Sequence, residues 1–133
     1  MTPTHDIFSW IPQRPPFVFI DTIVEADGNC AVTQFTITET CPLVEAGHLS
    51  LAGLMENAAQ TCAVRAGVSG GNRIGFIGAV KQMETKRFPS VGEILTTRAV
   101  LVQEVLNISL IECTVSAGGE LIATATLKLA IVD

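Results

Sequence analysis

The sequence predicts an α+β fold in which one curved antiparallel sheet wraps around one long central helix. The length of 133 residues suits a single domain spanning 1–133. Apolar residues make up 48% of the chain and charged residues 16%, which excludes a disordered protein. Two strands come first, a long helix follows, and four long strands complete the order. Because no helix separates the last four strands, we expect them to form an antiparallel meander.

The strands are indicated by runs rich in β-branched and aromatic residues that lie between turn signals. A hairpin is expected at the Asp27–Asn29 turn, and another at Gly118 and Gly119, which separate two apolar runs. A short helix over 5–11 is expected to stop at Pro12. The predicted strands are 17–25, 30–38, 74–86, 93–104, 107–117 and 120–132.

Residues 50–67 are rich in good helix formers, with Ser50 as the expected N-cap and Gly67 as the expected C-cap. The helix has only two charged residues, Glu56 and Arg65, whereas a surface helix normally carries several opposite its apolar face. At about 100° per residue, Glu56 lies opposite the large apolar side chains. The large side chains are Leu51, Leu54, Met55, Ala58 and Cys62, and small residues surround Glu56 at Ala52, Gly53, Ala59, Ala63 and Gly67. This pattern predicts a helix that is buried on more than one side.

Charge and hydropathy argue against nucleic-acid-binding and membrane-spanning proteins. The net charge of −5 argues against nucleic-acid binding, which needs a basic surface. No apolar run is long enough to cross a membrane, and the N-terminus does not resemble a signal peptide, so we expect a cytoplasmic protein. Low charge and a mean hydropathy of +0.46 predict a homo-oligomer, at least a dimer, with strand 74–86 or the helix at the interface.

The cysteines and histidines lack the spacing of a metal site, so no metal is expected. The four cysteines occur singly and are expected to be buried free thiols in a reducing compartment. They are Cys30, Cys41, Cys62 and Cys113.

Two residues are candidates for acid–base chemistry. Glu56 is either a carboxylate at a solvent-facing gap, or one satisfied by Gln60 and a backbone amide, or a desolvated carboxylate with a raised pKa that is suited to proton transfer. His48 lies two residues before the expected N-cap and is either a loop residue or a catalytic base. The residues alone leave both alternatives open.

Four segments resemble the hot-dog-fold 3-hydroxyacyl-[acyl-carrier-protein] dehydratases. They are IPQRPPFVFIDTIVEAD at 11–27, GH at 47–48, GLMENAAQ at 53–60 and FIGAVKQMETKRFPSVGEIL at 76–95. Gln13 stands where the family usually has His, and Thr22 where it usually has Arg. The stretch between His48 and Glu56 is shorter than in the family. This shortened loop resembles a divergent bacterial branch of hot-dog dehydratases linked to aryl-polyene-type pigments.

The resemblance implies roles for individual residues. His48 would be the base at the α-carbon of a 3-hydroxyacyl thioester, Glu56 the acid that protonates the departing hydroxyl, and Gln60 the residue that orients Glu56. The product would be a trans-2-enoyl thioester of fatty-acid or polyene-type biosynthesis. The backbone N–H groups of Ala52 and Gly53 would donate hydrogen bonds to the thioester carbonyl oxygen. No cofactor is implied, because the substrate carries its own phosphopantetheine arm.

Helix geometry adds a constraint on these roles. Residues eight apart along a helix are separated by roughly 12 Å, so His48 and Glu56 of one chain are poorly placed to share a substrate. A site formed across a two-fold dimer removes this difficulty, and the hot-dog family forms dimers with shared sites.

The segment from 73 to 87 is locally basic. Its cations are Arg73, Lys81, Lys86 and Arg87. They form either an ordinary solvated strand edge or a patch for an acidic acyl-carrier protein or its phosphopantetheine phosphate. The carrier could also be CoA. Two other functions stay open: a hot-dog acyl thioesterase, which needs the helical carboxylate but no histidine, and a non-catalytic acyl-binding subunit.

Overall fold

The computed structural model describes residues 2–70 and 74–132. A short 3-10 helix at Ile7–Ser9 comes first. The other elements are β1 (Thr22–Ala26), β2 (Cys30–Thr36), β3 (Val44–Glu45), β4 (His48–Leu49), α1 (Leu51–Gly70), β5 (Ile74–Thr85), β6 (Ile94–Val105), β7 (Ile108–Ala117) and β8 (Glu120–Val132). The described part of the chain contains no helix that is both long and apolar enough to span a membrane.

Six strands form one sheet in the order β1-β2-β6-β7-β8-β5, and every neighbouring pair is antiparallel. The antiparallel arrangement confirms the prediction, but the meander of the last four strands is wrong for β5. Tight turns join β6 to β7 and β7 to β8, whereas the whole segment 86–93 separates β5 from β6. This segment does not form a tight hairpin, and β5 pairs with β8 at the edge of the sheet.

The two tight turns differ in sequence, but each contains a residue with positive φ. Gly118 and Gly119 have φ of 59° and 80°, which is the type I′ conformation that suits the twist of a hairpin. The β6–β7 turn places Leu106 at a φ of 57°, with 94% of its surface exposed. The predicted break at Gly118 and Gly119 is therefore confirmed as a two-residue hairpin.

Strand β1 begins five residues later than predicted because α1 takes the hydrogen bonds that a strand would use. The Phe19 N–H donates to Gln60 Oε1 at 2.8 Å, and Asn57 Nδ2 donates to the Phe19 carbonyl at 2.7 Å. Gln60 Nε2 also donates to the Phe17 carbonyl at 3.0 Å. The helix side chains thus replace a neighbouring strand along 17–19.

Helix α1 begins as predicted and ends later. Ser50 Oγ accepts from the Gly53 N–H at 3.3 Å, as an N-cap does. Gly67 lacks the left-handed φ of a C-capping glycine, so the helix continues to Gly70. The short helix expected over 5–11 is reduced to the 3-10 turn at Ile7–Ser9.

The helix contacts all six strands of the large sheet. Leu54, Ala58 and Cys62 of its predicted apolar face are buried, whereas Leu51 at its first position is exposed. Its buried set also contains polar groups that the pattern did not predict. Thr97 Oγ1 donates to Asn57 Oδ1 at 2.5 Å, and the hydroxyls of Thr33 and Thr61 lie 2.8 Å apart. Arg65, one of the helix's two charged residues, is buried, and its Nη1 donates to the Gly28 carbonyl at 2.7 Å.

The cysteines divide into two groups. Cys30, Cys62 and Cys113 are buried, but Cys41 is partly exposed, contrary to the prediction. The Sγ atoms of Cys62 and Cys113 lie 3.5 Å apart between the helix and β7. This contact and burial raise the pKa of the Cys62 thiol.

The small β3–β4 hairpin was not predicted. Its turn residues Ala46 and Gly47 both have positive φ, at 52° and 79°. Alanine is uncommon at such a position, so the sequence gives a weak turn signal. The hairpin carries His48 and leads directly into α1.

Candidate active site

His48 lies on the two-residue strand β4, whose backbone is hydrogen-bonded on both sides. It pairs with Glu45 across the hairpin and forms a β-bridge with Ser90. The side chain is exposed, and its Nδ1 lies 3.0 Å from the Ala46 carbonyl oxygen. Because a carbonyl oxygen only accepts, this hydrogen bond assigns the proton to Nδ1. In the neutral ring, Nε2 then carries the lone pair that a general base needs.

A cleft of about 880 Å³ opens beside this histidine, at the N-terminus of α1. Both apolar and polar side chains line it. They are Glu45, His48, Leu49, Ser50, Leu51, Ala52, Arg87, Phe88 and Ser90. Phe88 and Leu51 are large and about half exposed, so the cleft has an apolar surface next to the imidazole. Phe88 and Ser90 were not predicted as site residues, because their segment reads only as a break between strands.

The N-terminus of α1 contributes backbone N–H groups to the cleft. The Gly53 N–H donates to the Ser50 hydroxyl, whereas the Ala52 N–H has no partner among the described residues. Of the two amides predicted to receive a thioester carbonyl, that of Ala52 is the available one and lies in the cleft lining.

Gly53 has a steric role at the same place. A Cβ at this position would lie 2.3 Å from Leu49 Cδ1, a distance that packed atoms do not reach. The close approach of Leu49 to the helix anchors the end of β4 against α1. A side chain at 53 would force Leu49 to move, a packing constraint that the sequence alone does not reveal.

Glu56 is half-buried one turn further along α1. Gln60 Nε2 donates to Glu56 Oε1 at 3.2 Å. Gln60 itself is buried and held by Phe17 and Phe19 backbone groups, so its amide has a fixed orientation. The predicted contact between Gln60 and Glu56 is present.

Within one chain, His48 and Glu56 do not line the same cleft. The cleft lining includes His48 and Ala52 but not Glu56 or Gln60. The helical carboxylate instead lies on the half-exposed side of α1, together with Ala59, Ala63 and Gly67.

The predicted basic residues are dispersed. Arg73 lies outside the described residues. Lys81 and Lys86 are exposed, and neither lines the cleft with His48. Lys81 instead lies beside Lys128 in a small depression on the sheet. Of the described three, Arg87 alone reaches the cleft.

Arg87 is engaged by two carboxylates. Its Nη1 and Nη2 donate to Glu93 Oε2 and Oε1 at 2.9 and 2.8 Å, and its Nε donates to Glu120 Oε1 at 3.1 Å. Glu93 Oε2 also accepts from the Ser90 N–H at 2.6 Å. Arg87 and this amide lower the pKa of Glu93 to about 2, and the two carboxylates raise the pKa of Arg87.

Comparison with known families agrees with this architecture. The family model described as "ApeP-like: ApeP dehydratase" matches residues 5–132. The chain belongs to the ApeP-like dehydratase family. This confirms the resemblance to a divergent hot-dog dehydratase.

The relatives of this ApeP-like chain include a 3-hydroxyacyl-[acyl-carrier-protein] dehydratase FabZ from Rickettsia africae. The two are 26% identical over 96% of this chain and 94% of the relative. Among solved structures, the dehydratase heterocomplex ApeI:P from Xenorhabdus doucetiae is similar, with a TM-score of 0.83 and 17% identity over 96% of this chain and 91% of that one.

A hypothetical thioesterase with coenzyme A from Streptococcus pneumoniae also shares the fold. Its TM-score is 0.73 at 13% identity, over 83% of this chain and 84% of that one. At such identities the structural likeness shows the hot-dog fold, which dehydratases and thioesterases share.

Proposed function

We propose that this ApeP-like protein is a hydro-lyase that converts a 3-hydroxyacyl thioester into a trans-2-enoyl thioester and water. The observation that carries the proposal is the cleft in which His48, with its proton on Nδ1, meets the free amide end of α1. The family match and the FabZ relatives support the same reaction class.

His48 acts as the base. Its Nε2 takes the proton from the α-carbon of the substrate, and the electron pair moves toward the thioester carbonyl. The Ala52 N–H at the positive end of α1 stabilises the charge that develops on this oxygen. The hydrogen bond to the Ala46 carbonyl stabilises the imidazolium that forms.

Glu56 acts as the acid. As the C3–oxygen bond breaks, the protonated carboxyl group donates its proton to the leaving hydroxyl, and the α,β double bond forms with release of water. The proton held by His48 then returns through solvent to Glu56, which restores both residues. Gln60 keeps the carboxyl group in one orientation.

The complete site belongs to a homodimer, in which His48 of one protomer meets Glu56 of the other. Two features support this arrangement. Glu56 lies outside the cleft of its own chain, and β5 is an edge strand that pairs only with β8 within the chain. A second copy placed along β5 and the half-exposed side of α1 would enclose the helix and make it central.

The substrate reaches this site on a phosphopantetheine arm, which supplies the thioester, and no other cofactor takes part. We place the reaction in cytoplasmic fatty-acid or polyene-type biosynthesis, with acyl-carrier protein as the carrier and CoA as the alternative. The exposed Lys81 and Lys86, with Arg73, are the candidate contacts for an acidic carrier. Arg87, which reaches the cleft, is the candidate contact for the phosphate.

Subunit mixing tests the trans arrangement. His48→Ala and Glu56→Gln chains, each inactive as a homodimer, are co-expressed with different tags, and the mixed dimer is isolated. Each mixed dimer contains one intact site only if the two residues come from different protomers, so it should show about half of the wild-type rate. Formation of the enoyl thioester is followed by its absorbance.

A mixed dimer as inactive as both parents would contradict the trans site. The matched control is a mixture of His48→Ala with wild type, which retains one intact site under either arrangement. Light scattering of the wild type should give a mass above the 14.1 kDa of one chain. A stable monomer would contradict the homodimer.

A thioesterase is the second candidate, favoured by the structural likeness to the coenzyme A-bound thioesterase and by the half-exposed Glu56. In that reaction water attacks the thioester carbonyl, with Glu56 as base, and the products are a free acid and a free thiol. Measuring thiol release beside enoyl absorbance on one sample separates the two reactions. If neither product forms, the chain is an acyl-binding subunit.

A further inference from the structure

The segment 87–93, between β5 and β6, forms a closed turn around one ion pair. The Glu93 N–H donates to the Ser90 carbonyl at 3.1 Å, and Gly92 has a φ of 96°, as a type II turn requires. The Glu93 side chain closes the same turn a second time through the Ser90 N–H, while Arg87 holds both of its carboxylate oxygens. Charged hydrogen bonds of this geometry are stronger than neutral ones.

This turn is bonded to the backbone on both sides of His48. The Val91 N–H donates to the Gly47 carbonyl at 2.9 Å, and the Leu49 N–H donates to the Pro89 carbonyl at 2.9 Å. His48 itself forms the bridge with Ser90. The histidine is therefore flanked by two hydrogen bonds that both depend on the shape of the 89–91 segment.

The His48 side chain adds little restraint of its own. It is exposed, and Nδ1 bonds only within its own hairpin. Buried Leu49 anchors the end of β4 against Gly53, so the backbone at Gly47 and His48 depends further on its hydrogen-bonded neighbours. The ionic turn adds backbone hydrogen bonds to this hairpin, beside the packing of Val44 and Leu49 against the core of the large sheet.

We propose that Glu93 is a positioning residue, which together with Arg87 shapes the 89–91 segment and thereby fixes the backbone of His48. In its catalytic part this inference rests on the proposed dehydratase function. Its structural part does not, because the hydrogen bonds of Leu49 and Val91 can be measured without substrate.

Glu120 provides a matched control. It accepts from Nε of the same guanidinium, but its side chain is 59% exposed and it lies at the β7–β8 turn. Its hydrogen bond and ion pair go to Arg87 and not to the 89–91 segment. Glu120→Gln removes one charge next to Arg87 and leaves the ionic turn intact.

The experiment compares Glu93→Gln with Glu120→Gln by amide hydrogen exchange and by kinetics. In Glu93→Gln, we expect protection of the Leu49 and Val91 amides to fall about tenfold or more, because bonds to a charged group are lost. The amides of Ile111 and Cys113 in β7 report on global stability and should not change. In Glu120→Gln, all four amides should keep wild-type protection.

Kinetics test the catalytic part. Misplacement of the base should lower kcat of Glu93→Gln about 10- to 100-fold with KM within about threefold of wild type. Glu120→Gln should stay within about twofold in both constants. Loss of Leu49 and Val91 protection without loss of kcat would refute the positioning role. Unchanged protection would refute the clamp itself.

Two further arms keep the result decisive. If Glu93→Gln fails to fold, Glu93→Asp replaces it, because it keeps the charge on a shorter side chain. Its amide protection and kcat should be lower than those of wild type and Glu120→Gln, without complete loss. Wild-type values in Glu93→Asp would then overturn the proposal. If the wild type dehydrates no 3-hydroxyacyl thioester, the proposed function fails, and the exchange data alone decide whether the clamp exists.

Discussion

Glu56 is held in place by side chains, whereas His48 is held by backbone hydrogen bonds. Glu56 lies on a helix packed on the sheet, where the side chains of Asn57 and Gln60 form hydrogen bonds with backbone groups of the segment 17–19. The His48 side is a short hairpin joined to a turn by amide–carbonyl pairs. The acid therefore depends on buried amide side chains, and the base depends on turn geometry, so the two sides should fail under different substitutions.

The largest effect is expected from the reacting groups themselves. Glu56→Gln and His48→Ala should each lower kcat about 10²- to 10⁴-fold, because each removes a proton-transfer group. Enoyl absorbance measures the loss, and circular dichroism should be unchanged. Glu112→Gln, on the exposed outer face of β7, is the control. Dehydration that survives Glu56→Gln would remove the carboxylate from the mechanism.

The buried side-chain network near Glu56 is tested by Asn57→Ala. The substitution leaves the Phe19 carbonyl and the Thr97 hydroxyl buried without partners, so the free energy of unfolding should fall by about 2–4 kcal/mol. Denaturant titration measures it. Asn29→Ala, at an exposed turn, should change stability by less than about 0.5 kcal/mol. Equal effects at both positions would show that the buried network carries no special stability.

The packing of the His48 hairpin on α1 is tested by substituting two glycines of this helix. Gly53→Ala places a Cβ against Leu49 and should cost about 1–3 kcal/mol of stability together with a loss of kcat. At Gly67 a Cβ would meet Trp10 atoms only at 3.6 and 3.7 Å, so Gly67→Ala should stabilise the helix by about 0.5–1 kcal/mol. The opposite order of the two unfolding free energies would contradict the packing of β4 on α1.

Low pH should weaken the hydrogen bonds around His48. Of the four predicted effects, this one should be the smallest. The pKa of Glu93 is lowered from 4.5 to about 2 by Arg87 and the Ser90 N–H. A group with a lowered folded-state pKa stabilises the fold above its unfolded pKa and loses this contribution as the pH falls toward the folded value. Protection of Leu49 and Val91 should therefore decline from about pH 4.5 toward pH 2, and Glu93→Gln should remove this pH dependence.

The fold was largely predictable because β-branched runs, turn pairs and one helical segment follow each other without interruption. The predictions failed where side chains replace backbone partners. Phe17 and Phe19 have the composition of a strand, but their hydrogen bonds go to Asn57 and Gln60, which no local pattern reveals. The pairing of β5 with β8 depends on long-range contacts, because the segment 86–93 does not join β5 to β6 as a tight hairpin.

Of the candidate site, the sequence predicted the Glu56–Gln60 contact but not the ion pairs of Arg87. Glu56 and Gln60 are four apart on a helix, and this spacing alone predicts their contact. Arg87 resembled a free basic residue because Glu93 and Glu120 are brought to it only by the fold. The roles assigned to His48, Glu56 and the basic residues stay predictions until the substitutions above are measured.

The position of β5 at the sheet edge has a consequence for synthesis of the chain. This strand leaves the ribosome before β6, β7 and β8, yet its partner within the chain is β8. Domains assemble during translation as their segments become available, and long-range strand pairs close slowly. A nascent chain therefore holds a β-rich strand unpaired while three further strands are made. Slow translation between residues 86 and 120 lengthens this interval and with it the exposure of β5 to wrong strand pairing.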